Sequence, residues 1–361
     1  MLTFIADSNI ANLDDYVNTQ VLAYPVTVIK MAGRDITADV LAQYQPDALL
    51  IRSVTNVNER LLANNDSVKF VGSATIGTDH VDQDYLASRH IAFANAAGCS
   101  KHSVAQYVIT AILTLRPDYW QCPIKLGIIG LGNIGSTLAQ YAQNLGWQVL
   151  GYDPFIPPSM MNNASFEQVL TQSNVISLHV PLTSAEESSH PTHHLLDEAA
   201  FAQMAADTLL INSARGPVIS EAALLDDLAS SQREVVLDVF EHEPEVSETL
   251  INQLAIATPH IAGYTLEGKL RGTQMVFDAF VETFSEQLQV NDTQLMAKLL
   301  PDNPYRWREL QLQPSKLADY YHIWEDDALL RNVVNQELRR VQGNDFDALR
   351  KAYKLRREWV F

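Results

Sequence analysis

The segment Lys125 to Asp153 constrains the fold of this chain more than any other stretch. An apolar run enters a glycine turn, GLGNIG, and a helical pattern and a second apolar run follow. Gly130 permits a tight turn, Gly132 lets the backbone approach a pyrophosphate, and Gly135 lets the helix pack closely on the strand. The N–H groups at the start of such a helix favour a phosphate. The predicted dinucleotide-binding residues of the turn are Gly130, Gly132, Asn133, Ile134 and Gly135.

The acid at the end of this segment indicates which dinucleotide is bound. Asp153 lies 18 residues after Gly135, at the end of the second apolar run. A carboxylate there accepts hydrogen bonds from the hydroxyls of the adenosine ribose and disfavours a 2'-phosphate. The combination of strand, turn, helix, strand and acid is more specific than the glycine spacing alone. The sequence therefore predicts NAD as the cofactor.

Length and charge limit the remaining possibilities. The chain has 361 residues, which predicts two or three domains, and 47% of them are hydrophobic. Its net charge of −18 argues against nucleic acid or an anionic membrane as a partner, because binding to either needs a basic surface. An anionic substrate would have to be held by a few local cations.

The expected location is the cytoplasm. No apolar run reaches the roughly 18 residues that a membrane helix needs, and the N-terminus, MLTFIADSNI, lacks the pattern of a signal peptide. Two cysteines, Cys99 and Cys122, cannot form a disulfide framework, and reduced thiols are the expectation.

Alternating strand and helix patterns predict an α/β protein. The near-continuous apolar strands indicate parallel sheets covered on both faces, so we expect two doubly wound parallel-sheet domains of Rossmann or flavodoxin type. Predicted boundaries are 1–94, continued by about 264–287, for a substrate domain and 95–263 for an NAD-binding domain. An active site in the cleft between them is expected, with hinges near Asn95 and Gly263. A long amphipathic helix is predicted from Thr273 to Gln287.

The last part of the chain differs in character. Residues 288–361 contain three of the five tryptophans, Trp307, Trp324 and Trp359, and closely spaced charges, without a glycine-rich motif. We interpret this tail as a small α-containing module. About seventy residues is marginal for an independent core, so packing on a partner subunit is expected.

Polar residues that follow the predicted strands are the candidates for chemistry, because ligands of open α/β sheets bind beyond the carboxyl ends of the strands. Arg215 follows one strand, and its planar fork suits a carboxylate. Asp238 and His260 follow two others. Arg52 follows a strand of the first domain and is the first candidate to bind a substrate phosphate; a structural salt bridge is the alternative.

Other polar residues leave the choice open. The motif LDVFEHEPE contains three acids, Glu241, Glu243 and Glu245, and the residues alone do not select one of them. A lone histidine such as His260 is as often structural as it is a general base. The histidines of SSHPTHHLL invite a metal site, but their spacing matches no helical metal pair, and no metal is predicted.

Together these motifs resemble those of the D-isomer-specific 2-hydroxyacid dehydrogenases. Five of them occur in the order typical of that family, within a likeness that spans residues 1 to about 285. They are GLGNIG with Asp153, HVPLT at 179–183, INSARG at 211–216, LDVFEHEP at 237–244 and TPHIAG at 258–263.

The resemblance implies roles for individual residues. Arg215, Glu243 and His260 match the arginine, glutamate and histidine of the catalytic set, which selects Glu243 among the three acids. The implied substrate contacts are Ser53, Thr75 and Tyr264. The implied cofactor contacts are Asp153, Ser213, Ala214, Arg215, Asp238 and Gly263.

One branch of the family is more similar than the others. The similar segments are IRSVTNVNERLL at 51–62, KFVGSATIGTDHVD at 69–82, PHIAGYTLEGKLRGT at 259–273 and FDALRKAYKLRREW at 346–359. This likeness implies NAD-dependent oxidation of 4-phospho-D-erythronate in pyridoxal 5'-phosphate biosynthesis, and a homodimer formed through the C-terminal domain. Two alternatives stay open: a dehydrogenase for 3-phosphoglycerate or hydroxypyruvate, and a non-enzymatic protein that senses NAD(H).

Overall fold

The computed structural model of the chain describes residues 1–157, 159, 163–231, 233–291 and 294–361. These residues form two compact units. The first unit comprises residues 1–100 and 265–302, and the second comprises residues 101–264 and 303–361. Two residues of the predicted tail, Asp292 and Thr293, lie outside the described residues.

A five-stranded parallel sheet forms the centre of the first unit, in the order β2-β1-β3-β4-β5. The strands are β1 (Leu2–Asp7), β2 (Val26–Met31), β3 (Ala48–Ile51), β4 (Phe70–Ser73) and β5 (Ala92–Asn95). The helices are α1 (Leu13–Tyr16), α2 (Thr19–Leu22), α3 (Ala38–Tyr44), α4 (Glu59–Leu62), α5 (Gln83–Ser88), α12 (Leu266–Thr283) and α13 (Leu295–Leu299). Alternate strand residues face opposite sides, so that Leu50 packs with α12 while Leu49 packs on the other face.

A six-stranded parallel sheet forms the centre of the second unit, in the order β12-β10-β9-β8-β6-β7. Its strands are β6 (Lys125–Ile129), β7 (Gln148–Tyr152), β8 (Val175–Leu178), β9 (Leu209–Asn212), β10 (Val235–Leu237) and β12 (Ile256–Ala257). Its helices up to residue 264 are α6 (Lys101–Leu115), α7 (Asn133–Asn144), α8 (Phe166–Gln172), α9 (Glu198–Gln203), α10 (Glu221–Ser230) and α11 (Glu248–Ile251). Because β7 and β8 lie on opposite sides of β6, the strand order reverses there, which is where such sheets bind ligands.

These two sheets confirm the predicted α/β fold with parallel sheets and an α-rich C-terminal region. The predicted strands are recovered with small shifts at their ends. The helix predicted from Thr273 to Gln287 is wrong in its bounds, because α12 begins at Leu266 and ends at Thr283. Thr265 caps this helix by accepting a hydrogen bond from the amide of Gly268, and the helix continues through Gly268 and Gly272.

The C-terminal tail does not form a third compact unit. Its first residues up to Asp302 belong to the first unit, and residues 303–361 belong to the second. This second portion contains α14 (Trp307–Leu312), α15 (Leu317–Tyr320), α16 (Ile323–Arg331) and α17 (Gly343–Ala352). A short strand, β13 (Arg340–Val341), pairs antiparallel with β11 (Val246–Ser247).

Aromatic packing explains why residues 303–361 join the second unit. The rings of Trp307 and Trp359 stack with centroids 5.5 Å apart, and the ring of Tyr141 of α7 meets Trp307 edge-on at 5.1 Å. Both tryptophans are buried within this chain, contrary to the expectation that they need a second subunit, whereas Trp324 is 42% exposed. The tail therefore completes a core of the second unit.

Candidate active site

The glycine turn after β6 has the shape that a bound dinucleotide needs. A Cβ on Gly130, where φ is +93°, would lie 2.6 Å from the carbonyl oxygen of His179. A Cβ on Gly132 would meet nothing within 4 Å, so the backbone there faces open space. Asn133 and Ile134 begin α7, whose first N–H groups have no partner within the helix and no side-chain cap. The turn therefore fits a pyrophosphate.

Asp153 lies directly after β7, as predicted. Its Oδ2 accepts a hydrogen bond from the amide of Leu131 at 3.0 Å, and its Oδ1 accepts one from the amide of Phe155 at 3.0 Å. Each carboxylate oxygen has two lone pairs, so both can also accept from ribose hydroxyls. The carboxylate is thus hydrogen-bonded to the glycine turn and can still accept hydrogen bonds from the ribose hydroxyls.

Two buried polar atoms in this region lack a partner among the described residues. One is Oγ of Ser213, just after β9, and the other is Nδ1 of His179, just after β8. Burial lowers the pKa of His179 to about 3, so the ring is neutral at physiological pH. Buried polar groups are nearly always hydrogen-bonded, so an unpartnered hydroxyl at a predicted cofactor residue supports the fit to a dinucleotide.

The loop after β9 presents Arg215. Asn212 fixes this loop by donating to the carbonyl oxygen of Arg215 at 2.9 Å and accepting from the amide of Ala214 at 3.0 Å. A Cβ on Gly216 would lie 1.8 Å from the carbonyl oxygen of Phe240, so only glycine fits. The Arg215 loop therefore packs directly on the backbone of the loop after β10.

Glu243 and His260 form a hydrogen-bonded pair. Oε2 of Glu243 lies 2.9 Å from Nδ1 of His260, and Oε1 accepts from the amide of Phe240 at 2.8 Å. Burial alone would raise the pKa of Glu243. The charge of His260 and the two hydrogen bonds outweigh burial, and the pKa of Glu243 is lowered. An ionised Glu243 can only accept, so Nδ1 of His260 carries the proton and Nε2 is left as the basic atom.

The structure separates the three acids of LDVFEHEPE. Only Glu243 contacts His260. Glu241 accepts from Nε2 of His194 at 2.6 Å and from the amide of Glu221 at 2.7 Å, so it caps α10. Glu245 forms an ion pair with Arg340 of the tail at 2.8 Å.

Two of the histidines of SSHPTHHLL, His193 and His194, contact each other, and His194 is hydrogen-bonded to Glu241. His193 and His194 stack with ring centroids 3.9 Å apart. Their ligand atoms and those of Glu241 come within 4.8 Å of one another, while His190 is not part of this group. Nε2 of His194 is engaged in the hydrogen bond to Glu241.

Asp238 holds the turn that contains His260. Its carboxylate is 1% exposed and accepts from the amides of Ile261 at 2.8 Å and Ala262 at 2.9 Å. It also accepts from Thr258 Oγ1 at 2.6 Å. Burial raises the pKa of Asp238, although the nearby charge of His260 and these hydrogen bonds act in the opposite direction. Gly263, another predicted cofactor residue, lies in the same turn.

Arg215, Glu243 and His260 thus follow three strands that are neighbours in the sheet. Their strands, β9, β10 and β12, end at the same edge. Tyr264, a predicted substrate residue, belongs to the same unit. Its ring lies 6.0 Å from that of Tyr353, with the guanidinium of Arg350 5.9 Å from its centroid.

The other predicted substrate residues lie at the carboxyl edge of the five-stranded sheet. Arg52 follows β3 and is partly exposed, and Ser53 is exposed. Neither side chain contacts a partner among the described residues, so the alternative of a structural salt bridge for Arg52 is not observed there. Thr75 Oγ1 lies 2.7 Å from Ser73 Oγ and donates to the carbonyl oxygen of Gly77 at 3.1 Å. Ser73 Oγ lies 3.0 Å from Nε2 of His80.

Comparisons with known proteins agree with this geometry. Residues 123–262 match the family model described as D-isomer specific 2-hydroxyacid dehydrogenase, NAD binding domain. The chain is 62% identical over the full length of both proteins to the erythronate-4-phosphate dehydrogenase of Psychrobacter sp. (strain PRwf-1). It is 51% identical to that of a strain of Acinetobacter baumannii, over 91% of each chain.

The chain belongs to the erythronate-4-phosphate dehydrogenase branch of the D-isomer-specific 2-hydroxyacid dehydrogenase family. The fold is also found in the apo D-mandelate dehydrogenase of Rhodotorula graminis, with a TM-score of 0.65 and 24% identity. That match covers 78% of this chain and 94% of the other. The predicted family, fold and NAD-binding domain are therefore confirmed.

The motifs of this dehydrogenase family did not point to the tail residues around the active site. Tyr353 and Arg356 contact the turn that contains His260, and the charge of Arg350 contributes to the lowered pKa of Glu243. The only signal in the sequence is the basic and aromatic segment RKAYKLRREW at 350–359, which gives no indication of its partner.

The cysteines and the apolar helices can be compared with what the composition predicted. Neither cysteine forms a disulfide; Cys99 is buried and Cys122 is exposed. Within the described part of the chain, no helix is both long and apolar enough to cross a membrane.

Proposed function

We propose that this chain oxidises 4-phospho-D-erythronate at C2 to 2-oxo-3-hydroxy-4-phosphobutanoate with NAD⁺, in the biosynthesis of pyridoxal 5'-phosphate. The observation that carries the proposal is the Glu243–His260 pair, which follows two strands adjacent to that of Arg215. The similarity to erythronate-4-phosphate dehydrogenases supplies the substrate.

His260 acts as the general base in this proposal. With Nδ1 hydrogen-bonded to Glu243, the free Nε2 takes the proton of the C2 hydroxyl. The proton gives the ring a positive charge, which the ionised Glu243 stabilises at 2.9 Å. The hydrogen bonds from His260 and from the amide of Phe240 favour the ionised form of this carboxylate.

Arg215 binds the substrate carboxylate and polarises the C2 oxygen. A guanidinium pairs with a carboxylate through two parallel hydrogen bonds, which fixes the orientation of the adjacent C2. The contact of Gly216 with Phe240 supports this role, because it sets the Arg215 loop against the loop that holds Glu243.

NAD⁺, when bound, supplies the acceptor for the hydride from C2. The residues that would hold it are those of the glycine turn, with Asp153 on the adenosine ribose. Ser213, Ala214, Asp238 and Gly263 are proposed as further contacts, and the unpartnered hydroxyl of Ser213 supports its assignment.

Selection of a phosphorylated substrate needs local cations, since the net charge of −18 repels an anion. Arg52 is proposed to bind the phosphate, and its lack of an ion-pair partner among the described residues supports this role. Ser53, Thr75 and Tyr264 are proposed as further substrate contacts.

A homodimer formed through the tail is part of the proposal, as is a location in the cytoplasm, which fits the absence of a disulfide between the two cysteines. Among the described residues, six of the ten exposed large hydrophobic side chains lie between residues 303 and 361. They are Leu312, Trp324, Leu329, Leu338, Val360 and Phe361. Such a concentration favours a protein interface. A dimer in light scattering that dissociates in Leu329→Lys supports this assignment, and an unchanged dimer places the interface elsewhere.

The test of the proposed function is a substrate panel with NAD⁺. It compares 4-phospho-D-erythronate, D-erythronate, 3-phospho-D-glycerate and D-glycerate by NADH formation. The proposal predicts the highest kcat/KM for 4-phospho-D-erythronate. A preference for 3-phospho-D-glycerate or D-glycerate would assign another dehydrogenase activity, and NADH binding without any turnover would indicate a sensing protein.

A further inference from the structure

The C-terminal end of the chain binds the turn that contains His260. Nη2 of Arg356 donates to the carbonyl oxygen of Ile261 at 3.1 Å and to that of Ala262 at 2.6 Å. The amide of Arg356 also donates to the carbonyl oxygen of Tyr264 at 3.3 Å. The three acceptors belong to residues that follow His260, so this arginine provides hydrogen bonds for the carbonyl groups of the turn.

Aromatic residues of the tail and of α6 hold Arg356 in place. Its guanidinium lies 4.0 Å from the ring centroid of Tyr321 and 5.9 Å from that of Tyr107, so it is held by cation–π contacts. Oδ2 of the buried Asp326 accepts from the hydroxyls of Tyr321 and Tyr353, both at 2.7 Å. Burial raises the pKa of Asp326, and the positive charge of Arg356 opposes that rise.

Asp238 binds the same turn from the inner side. It accepts from the amides of Ile261 and Ala262, whose carbonyl oxygens are the acceptors for Arg356. The N–H groups of these two residues are thus bound by an anion and their C=O groups by a cation. The residue just before them, His260, has a φ of +57°, a left-handed conformation that few residues with a Cβ adopt. Such a conformation persists only where the surroundings hold it.

We propose that Arg356 is a positioning residue for His260, which it holds in orientation through the backbone of residues 261 and 262. This role rests on the proposed function, in which Nε2 of His260 takes the substrate proton. The tail would then serve the reaction itself, in addition to the assembly proposed for its exposed apolar side chains.

The test compares variants of Arg356 with a control from the same tail. Arg356→Met keeps most of the side-chain volume and removes the cation and its donors, and Arg356→Lys keeps the charge without the fork. Arg308→Met is the control, because Arg308 is an exposed arginine of α14. Activity is expressed per NADH-binding site, so that loss of folded protein does not count as loss of rate.

We expect Arg356→Met to lower kcat by roughly 10- to 100-fold, the scale of a misplacement of about 1 Å in a catalytic group. The KM for the 2-hydroxy acid and the Kd for NADH should stay near the values of the parent protein. Arg356→Lys should recover part of kcat, and Arg308→Met should match the parent. Loss confined to the number of NADH-binding sites would assign Arg356 to stability and overturn the proposal.

A second readout does not depend on turnover. The hydrogen-bonded Nδ1 proton of His260 should give an NMR resonance that His260→Asn identifies by its disappearance. Arg356→Met should shift or broaden this resonance, and Arg308→Met should not. If Arg356→Met fails to fold, Arg356→Gln, which keeps an N–H donor without the fork or the charge, takes its place in both measurements.

The two readouts separate this inference from the proposed function. A parent protein that is inactive on every 2-hydroxy acid would refute the proposed function. The shift of the His260 resonance would still show whether Arg356 holds the turn. An active parent with unchanged kcat and an unchanged resonance in the Arg356 variants would refute the positioning role alone.

Discussion

The candidate site residues at the carboxyl edges of the two parallel sheets differ in how they are bound. At the edge of the six-stranded sheet, polar side chains bind one another: Glu243 pairs with His260, and Asp238 accepts three hydrogen bonds. At the edge of the five-stranded sheet, Ser73 is hydrogen-bonded to Thr75 and His80, but the side chains of Arg52 and Ser53 have no partner among the described residues. The candidate catalytic residues are therefore bound to one another, whereas the candidate phosphate-binding arginine is not.

This difference corresponds to two kinds of work. Proton transfer needs a base in a fixed tautomer and orientation, which requires partners for the base itself. Recognition of a phosphate needs a cation that is not already neutralised, because the protein as a whole is strongly acidic. In the proposed function, the residues of the first edge act at C2 and Arg52 at the second edge selects the phosphorylated substrate.

The largest expected effect comes from removal of the base. His260→Asn keeps a polar side chain that can donate a hydrogen bond to Glu243 but cannot take the proton. We expect kcat to fall by roughly 10² to 10⁴, the usual scale for a general base. NADH binding measured by fluorescence should be unchanged. A variant with a kcat near that of the parent would exclude His260 as the base.

A smaller loss is expected for the carboxylate-binding arginine. Arg215→Lys keeps the charge and loses the bidentate fork. We expect kcat/KM for the 2-hydroxy acid to fall roughly 10- to 100-fold, the equivalent of about 1.5–3 kcal/mol for a hydrogen bond to a charged group. Steady-state kinetics at saturating NAD⁺ measures this loss directly. Unchanged KM and kcat would refute the role of Arg215.

The next effect concerns the cofactor end of the six-stranded sheet. The carboxylate of Asp153 should disfavour a 2'-phosphate, so the parent should prefer NAD⁺ over NADP⁺. Asp153→Ala should reduce the ratio of the two kcat/KM values by about tenfold or more, because loss of one charged hydrogen bond is worth at least about 1.4 kcal/mol. Equal use of both cofactors by the parent would contradict the assignment.

The smallest expected effect tests whether the imidazole of His179 is buried away from water. Burial lowers the pKa of His179 to about 3, while an unfolded histidine titrates near pH 6.5. The folded state therefore binds fewer protons between these values. Its free energy of unfolding should fall as the pH drops through this window, by up to about 1.4 kcal/mol per pH unit.

The control for this effect is His179→Gln, which has no group that titrates in the window. Urea unfolding at pH 7.5 and pH 5.5 should show a larger loss of stability for the parent than for the variant. Equal losses in both proteins would mean that the imidazole is exposed to water.

The sequence predicted the parts of this architecture that depend on local patterns. Apolar runs located the strands, and the glycine turn with Asp153 located the nucleotide site, because both signals lie within one segment. The choice of Glu243 over Glu241 depends on contacts with His260 and His194 that are distant in sequence. Sequence patterns alone therefore could not select Glu243, whereas the resemblance to the family motifs did.

The tail shows the opposite case. Its tryptophans and its basic segment were visible, but their partners were not, since Trp359 packs with Tyr141 and Arg356 binds the carbonyls of residues 261 and 262. The predicted start of α12 at Thr273 was wrong, because the helix begins at Leu266, directly after the cap at Thr265.

The separate roles of Arg52 and His260 are tested most directly by one ratio measured in three proteins. The ratio is kcat/KM for 4-phospho-D-erythronate divided by kcat/KM for D-erythronate, in the parent, Arg52→Ala and His260→Asn. Arg52→Ala should lower this ratio by about tenfold or more, because a charged hydrogen bond to the substrate phosphate is lost. His260→Asn should lower both values and leave the ratio unchanged. Equal losses on both substrates in Arg52→Ala would contradict the division of work between the two edges.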